Sequence, residues 1–213
     1  MSIRTIVYVD GFNLYYGCLR GTPYRRLNLG EFCRRVLRPC NTIVAINYYA
    51  ARVTARDDAN QPVRQNAYLR ALSTRPEILI HFGQFLSHPV RLPLAHPQPG
   101  QPRTVKVIRV EEKGSDAKLA THLVSDAYRN AFDVAAVITN DSDLEEPIRL
   151  VSQELGKPVG LISPVLDPRR RPSVQLRKVA TFIREVRRGT LAASQFPATL
   201  CDAKGIFHKP AIW

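Results

Sequence analysis

Aspartates stand at the ends of three apolar or alternating runs of the sequence. Asp10 follows IRTIVYV, Asp116 follows VKVIRVEEKG, and Asp141 and Asp143 follow DVAAVIT. Carboxylates so close together repel one another unless solvent or a cation neutralises them. Carboxylate oxygens without histidine or cysteine suit Mg²⁺ or Mn²⁺, ions that activate water and stabilise the charge of phosphoryl transfer. If these residues meet in the fold, they predict a metal site for phosphodiester chemistry.

Each aspartate also has a purely structural interpretation. Asp10 with Gly11 forms an ordinary turn sequence. Asp116 or Asp143 would favour the first turn of a helix through the helix dipole. The metal interpretation therefore depends on the fold bringing the aspartates together.

The elements that must position the aspartates alternate between strand and helix. This alternation predicts an α/β three-layer fold with a mostly parallel central sheet flanked by helices. In such sheets ligands bind beyond the carboxyl ends of the strands, where the strand order reverses. The predicted strands cover residues 3–9, 42–53, 77–86, 105–114, 133–139 and 157–163, and the clearest helices cover 27–37, 62–75, 115–130 and 143–156.

Other segments predict less regular structure. Prolines recur through residues 87–104, which predicts a long exposed loop or a hairpin tip. Segment 105–114 alternates apolar and polar residues, as expected for a half-buried strand. Segment 180–186 fits a final edge strand or a helix. We expect a domain over residues 1–188 and an extended C-terminal tail over 189–213.

Composition narrows the functional class. The 213 residues carry a net charge of +13, which favours a polyanionic partner such as nucleic acid, although an arginine excess also arises from GC-rich coding. The four cysteines show no CxxC spacing, so a zinc site is not expected. Scattered thiols of this kind fit a reducing cytoplasm. No apolar run is long enough for a membrane span. P-loop, GxGxxG and GxSxG motifs are absent from the sequence.

Three motifs stand in order along the chain: IVYVDGFNLYYG, EEKGSDAKLATHLVSDA and AAVITNDSDLEEPI. In their order and approximate spacing they resemble the NYN-domain family of PIN-like ribonucleases. The later PRRRPSVQLRKVATFIREV and GIFHKPAIW are similar to bacterial members, so the resemblance covers nearly the whole chain. It implies a PIN-like fold and a metal-dependent hydrolase that cleaves RNA, leaving a 5′-phosphate and a 3′-hydroxyl.

The resemblance also implies roles for individual residues. The VDGFN, KGSD and NDSD motifs would supply a four-aspartate metal site for Mg²⁺ or Mn²⁺, with Asn13 orienting a ligand or contacting substrate. Thr139 and Ser142 would hydrogen-bond carboxylates or phosphate. Relatives continue the last motif with apolar residues, whereas this chain has Glu145, which either joins the site or faces solvent in the first helical turn. The implied metal ligands are Asp10, Asp116, Asp141 and Asp143.

Basic and aromatic residues are candidates for binding the nucleic acid. Phosphate contacts from such residues would make binding dependent on salt and largely blind to sequence. A solvent-exposed charged face is the alternative for each. Tyr15 and Tyr16 would stack an unpaired base or pack in the core. The candidate phosphate-binding residues are Lys113, Arg169, Arg170, Arg171, Arg177 and Lys178.

The sequence leaves three functions open. The leading one is a metal-dependent endoribonuclease, because a pure binding protein gains nothing from clustered like charges. The alternatives are an RNA-binding or regulatory module with little turnover and a DNA-directed nuclease or phosphatase. RNA is the expected partner, a homodimer is left open, and no membrane is expected.

Overall fold

The computed structural model of the chain describes residues 2–55, 58–100, 102–167 and 169–211. None of the helices in these ranges is long and apolar enough to cross a membrane. The strands are β1 Ile3–Asp10, β2 Asn41–Ala50, β3 Ile78–Phe82, β4 Gln84–Pro93, β5 Thr104–Lys113, β6 Val134–Ile138, β7 Val159–Ser163, β8 Phe182–Glu185, β9 Thr199–Asp202 and β10 Gly205–His208. The helices are α1 Gly11–Leu14, α2 Leu29–Val36, α3 Gln61–Leu72, α4 Ser115–Tyr128, α5 Glu145–Arg149, α6 Val174–Val179 and α7 Arg188–Ala193.

Short irregular turns extend two of these helices. A π-helical turn, Tyr15–Leu19, continues α1, and another, Leu150–Glu154, continues α5. A 3₁₀ turn, Ser142–Leu144, precedes α5. Gly17 lies within the first π-helical turn, where an added Cβ would stand 1.8 Å from the carbonyl oxygen of Pro164. Glycine therefore lets this turn pack directly on the chain that follows β7.

Six strands form one central sheet in the order β3-β2-β1-β6-β7-β8, and all of its pairings are parallel. The predicted parallel sheet with flanking helices is thus confirmed. The chain moves from β1 to β2 on one side, while β6 lies on the other side, so the strand order reverses between β1 and β6. Val9 of β1 is in register with Ile138 of β6. Asp10 and Thr139, one residue further along, therefore stand side by side at the carboxyl edge.

The alternating side chains of β1 divide the core into two layers. Val7 and Val9 pack in the cluster that contains residues of α2 and α3, and Ile6 and Tyr8 pack in the cluster that contains residues of α4 and α5. Full burial of such a side chain stabilises the fold by about 1.5–3 kcal/mol. Because both faces of β1 are covered, the strand holds Asp10 at a fixed position at its end.

The proline-rich segment confirms the predicted hairpin, but two details differ: its first part is strand, and the partner strand is more exposed than expected. Strand β4 pairs with β5 along its whole length, from Gln84 with Lys113 to Pro93 with Thr104, so residues 87–93 are strand. The connecting turn covers 94–103, of which residue 101 lies outside the described ranges. Proline is tolerated because β4 pairs on one side only, which leaves some N–H groups without a ladder role. This hairpin projects from the central sheet, so β5 is mostly exposed rather than half-buried.

The predicted third strand, 77–86, is divided at Gly83. An added Cβ there would lie 2.7 Å from the carbonyl oxygen of Lys113, so glycine permits the close approach of the two hairpin strands at their base. β3 stays in the central sheet, and β4 leaves it. A continuous apolar run does not reveal such a change of partner.

The segment predicted as an extended tail is instead folded over its described residues, 189–211; residues 212 and 213 lie outside the described ranges. Arg70 of α3 donates two hydrogen bonds of 2.7 Å to the carboxylate of Asp202, and its guanidinium lies 4.1 Å from the ring centre of Phe207. These contacts attach the β9–β10 hairpin to α3. The domain boundary at residue 188 stays a prediction.

Candidate active site

Asp10 ends β1 and caps α1, and the fold holds its carboxylate firmly. One oxygen accepts the backbone N–H of Asn13 at 2.9 Å. The other accepts the Asn13 side-chain amide at 2.7 Å and the hydroxyl of Thr139 at 3.1 Å. Only 4% of the Asp10 surface is exposed. A buried carboxylate with this many donors has one orientation, as a metal ligand or a catalytic group requires.

Two more carboxylates meet Asp10 at the same edge. Asp141 follows β6 and accepts the backbone N–H of Asp143 at 3.1 Å, and Asp116 is the second residue of α4. One oxygen atom from each of Asp10, Asp116 and Asp141 lies within 4.8 Å of the others. The predicted meeting of these three aspartates is therefore present in the fold.

Electrostatic repulsion strains this cluster when no cation neutralises it. Burial, followed by the charges of Asp10 and Asp141, raises the pKa of Asp116 to about 6. Burial likewise raises the pKa of Asp10, although the hydrogen bonds from Asn13 and Thr139 oppose that rise. A divalent cation would reverse both effects, and three hard oxygen ligands fit Mg²⁺ or Mn²⁺ better than zinc.

Asp143 does not belong to the three-carboxylate cluster. Its side chain is exposed, and it contributes its backbone N–H to Asp141, although its charge is one of the weaker causes that raise the pKa of Asp116. The 3₁₀ turn after Asp141 separates the directions of the two side chains. Ser142 is also exposed, and its hydroxyl makes no hydrogen bond to any described residue. Glu145 is half-buried in the first turn of α5 and lies outside the cluster.

Thr139 connects the two central aspartates, a contact that the sequence predicts. Its hydroxyl donates to Asp10 and accepts the backbone N–H of Asp141 at 3.1 Å, and the residue is fully buried.

Thr139→Val should weaken the binding of a divalent cation by about 10–100-fold, the usual effect of removing a residue that orients a metal ligand. The valine also leaves the N–H of Asp141 unpaired, which should lower the free energy of unfolding by about 1–3 kcal/mol. Calorimetric titration with Mn²⁺ and urea denaturation measure the two effects. Thr139→Ser is the matched control, because it keeps the hydroxyl. Equal behaviour of the two variants would contradict the assigned role.

Asn140 is a site residue that the sequence analysis missed. Its backbone N–H donates to the side-chain oxygen of Asn13 at 3.3 Å. Its side-chain oxygen accepts the N–H of Ser173 at 2.7 Å, and its amide donates to the carbonyl of Arg171 at 3.4 Å. Asn140 thus joins the acidic cluster to the basic segment before α6. Its position between Thr139 and Asp141 was the available signal.

Two of the predicted basic residues lie next to the acidic cluster. Arg170 and Arg171 line an open groove of about 410 Å³ together with Asn13 and Asn140. The groove approaches the cluster through Asn13, whose side-chain amide donates to Asp10, and through Asn140, the residue before Asp141. A phosphate backbone in the groove would contact both arginines.

The other predicted basic residues are further from the groove or engaged elsewhere. Arg169 forms an ion pair of 3.1 Å with Asp167, and Lys113 forms one of 3.3 Å with Glu111. Arg177 and Lys178 are exposed in the last turn of α6 and do not line the groove. Their contact with nucleic acid stays a prediction.

The two tyrosines of α1 and its extension occupy different environments. Tyr15 is half-buried against the core, whereas 48% of the surface of Tyr16 is exposed. Their rings meet edge to face at 5.2 Å between centres. The alternative of core packing therefore suits Tyr15, and Tyr16 is accessible to a ligand.

Comparison with known proteins places this geometry in a family. The chain is 28% identical to 6-hydroxy-3-succinoylpyridine 3-monooxygenase HspA from Pseudomonas putida, over 99% of this chain and 75% of that protein. The chain shares its fold with VPA0982, a protein of unknown function from Vibrio parahaemolyticus, with a TM-score of 0.53 and 16% sequence identity. The match covers 88% of this chain and 94% of that protein. Residues 4–186 match the NYN domain, a PIN-like α/β fold whose members are generally nucleases. The chain therefore belongs to the NYN domain family.

Proposed function

We propose that this protein is a metal-dependent endoribonuclease that hydrolyses RNA phosphodiester bonds. The observation that carries the proposal is the cluster of oxygen atoms from Asp10, Asp116 and Asp141, all within 4.8 Å of one another. This cluster lies where the strand order reverses, which is the usual ligand site of such sheets. A net charge of +13 around a cluster of acids supports a polyanionic substrate held over a cation.

The residues of the site would have different roles in such a reaction. When bound, Mg²⁺ or Mn²⁺ supplies neutralising charge and lowers the pKa of water. Asp10, Asp116 and Asp141 would hold that ion, with Asp143 adding negative charge from outside the cluster. Asn13 and Thr139 fix the carboxylate of Asp10.

The groove would bind the substrate. Arg170 and Arg171 would bind phosphates on the path to the carboxylates, and Asn140 holds the backbone of Arg171 in place. The expected products carry a 5′-phosphate and a 3′-hydroxyl. The proposed compartment is the cytoplasm, and association of two copies stays a prediction that sedimentation would test.

The test is cleavage of a labelled structured RNA and of a matched single-stranded DNA, with Mn²⁺, with Mg²⁺ or with excess chelator. We expect RNA cleavage that requires metal and that Asp141→Asn abolishes. Asp133→Asn is the matched control, because Asp133 pairs with Arg4 beside the opposite end of β6. RNA binding without cleavage under every condition would reject the enzyme and favour a binding module. Preferential cutting of DNA would favour the DNA-directed alternative.

Arg171→Ala should weaken RNA binding and reduce its salt dependence. Loss of one phosphate contact should lower the slope of log affinity against log salt by about 0.7 to 1. Filter binding in chelator at several salt concentrations measures this slope. Arg169→Ala is the control, because Arg169 pairs with Asp167 and does not line the groove. A slope for Arg171→Ala equal to that of the wild type would place the phosphate path elsewhere.

Hydroxylation of a small aromatic ring is a second candidate. The 28% identity to a pyridine monooxygenase, which extends over 99% of this chain, favours it. The acidic cluster, however, lacks the two histidines with which many non-haem iron oxygenases hold their metal. Incubation with 6-hydroxy-3-succinoylpyridine, oxygen and a two-electron reductant, followed by mass spectrometry, would detect a hydroxylated product.

A further inference from the structure

An aromatic pocket lies beside the acidic cluster, at the carboxyl ends of β1 and β2. Its walls include the rings of Phe12, Tyr15, Tyr16, Tyr48 and Tyr68. The backbone of Gly11, the residue after Asp10, also lines it. The pocket is mostly apolar and distinct from the groove that contains Arg170 and Arg171.

The helical periodicity of α1 and its π-helical turn separates the pocket from the groove. Asn13 and Gly17 line the groove only, whereas Tyr15 and Leu19 line the pocket only. The residues between these two rows, Phe12 and Tyr16, line both. The pocket and the groove therefore share a wall that is one side chain thick, so a single nucleotide can place its base in one and its phosphate in the other.

The pocket contains a polar group that lacks a partner. Tyr48 has only 7% of its surface exposed and lines the pocket, yet its hydroxyl hydrogen-bonds to no residue in the described ranges. Burial, followed by the charge of Asp10, raises the pKa of Tyr48, so the hydroxyl keeps its proton and remains a donor. Because this hydroxyl has no partner in the described part of the chain, it is available to hydrogen-bond to a ligand in the pocket.

A second polar group is available at the pocket wall. Gln61 lines the pocket, and its side-chain amide makes no hydrogen bond to the described part of the chain. Gln65, by contrast, is fully engaged, since it accepts the N–H of Val53 and donates to the carbonyl of Ala51. Tyr48 and Gln61 together offer donors and one acceptor inside an apolar site. A flat ring that carries carbonyl oxygens and a ring N–H complements this set.

The size of the cavity limits the ligand to one small ring. Its volume is about 80 Å³. Because each water-sized group occupies about 10–15 Å³ on this measure, the cavity holds roughly five to eight such groups. A six-membered pyrimidine ring with its substituents matches that number, and a two-ring purine exceeds it.

We propose that this aromatic pocket binds the base of one unpaired pyrimidine nucleotide, next to the phosphate that is cleaved. The inference rests on the proposed nuclease function, which supplies the neighbouring phosphate. Aromatic rings stack with an unpaired base, and the Tyr48 hydroxyl and Gln61 amide recognise its polar edge. The pocket gives a nuclease of low sequence specificity a preference at one position.

Binding in the presence of a chelator tests the pocket independently of cleavage. The probes are labelled oligonucleotides of adenosine only, or of adenosine with one central uridine, measured by fluorescence anisotropy. We expect the uridine probe to bind about tenfold more tightly. Val53→Trp, which fills the pocket, should abolish this difference, and Tyr48→Phe, which removes only the hydroxyl, should reduce it severalfold.

Tyr16→Ala and Tyr128→Ala form a matched pair of variants. Tyr16 lines the pocket, and Tyr128 is 82% exposed at the end of α4. Only the first should reduce the uridine preference. Equal binding of both probes by the wild type, or an unchanged preference in Val53→Trp, would overturn the proposal. The proposal would also be overturned if 6-hydroxy-3-succinoylpyridine bound to the wild type and neither probe displaced it, because the pocket would then bind a free pyridine instead of a nucleotide.

The proposed function and the pocket can fail separately. A uridine preference in chelator without any metal-dependent cleavage would support the pocket and reject the nuclease. Metal-dependent cleavage whose position ignores pyrimidines, together with equal binding of the two probes, would support the nuclease and reject the pocket.

Discussion

Asp10→Asn will reduce the rate of metal-dependent RNA cleavage by about 10³-fold or more while the protein remains folded. Asp10 is the most buried of the three clustered carboxylates and the one with the most hydrogen bonds. Its replacement by an amide removes a negative ligand, and the resulting loss of several kcal/mol in charge stabilisation corresponds to a rate change of this size.

Single-turnover cleavage at saturating Mn²⁺ measures the effect of Asp10→Asn, and calorimetric titration with Mn²⁺ measures the accompanying loss of metal affinity. Circular dichroism establishes that the variant is folded. Asp133→Asn, which changes the same residue type near the other end of the sheet, should cleave like the wild type. Retention of more than a tenth of the wild-type rate by Asp10→Asn would exclude this carboxylate from the reaction.

Asp116→Asn will make the metal-free protein more stable above pH 6, although it abolishes cleavage. The pKa of Asp116 is about 6 in the folded chain, against an ordinary value of 3.8. The folded state therefore holds the proton more tightly, and this contribution to stability is lost as pH rises from about 4 to about 6. The shift corresponds to at most about 3 kcal/mol, which partial exposure reduces to about 1–2 kcal/mol.

Urea denaturation in excess chelator, at pH 8 and again near pH 4, tests this prediction. The asparagine variant should be the more stable protein at pH 8 and should lose its advantage near pH 4, where the wild-type carboxyl is protonated. Saturating Mn²⁺ should stabilise the wild type much more than the variant, because binding to the folded state alone adds to stability. An equal advantage of the variant at both pH values would assign the effect to packing instead of charge.

The central sheet and the meeting of three aspartates follow from local sequence. IRTIVYV and DVAAVIT are short apolar runs that suit strands covered on both faces; β1 ends at Asp10, and β6 ends immediately before Thr139. The rule that ligands collect where strand order reverses then brings Asp10 and Asp141 together. Asp116 was a candidate from its position before a predicted helix, but the strand that precedes it, β5, belongs to a hairpin and not to the central sheet.

The remaining features depend on long-range packing that a local pattern does not contain. Asp143 has the same residue type and nearly the same position as Asp141, but the 3₁₀ turn directs it to solvent. The prolines indicated a loop or a hairpin tip over the whole of residues 87–104, because a pattern does not reveal that a strand such as β4 pairs on one side only and so tolerates proline. The C-terminal segment lacks periodicity, and its order derives from a partner, Arg70, that lies more than a hundred residues earlier.

The pairing of β1 with β6 also determines when the site comes into existence. β1 ends at residue 10, but its partner strand β6 begins at residue 134, and Asp141 follows that strand. Closing so long a loop costs conformational entropy, and topologies dominated by distant pairings fold slowly. During synthesis Asp10 leaves the ribosome long before the residues that complete its cluster. A nascent chain therefore lacks the assembled carboxylates until about two thirds of its length has been made.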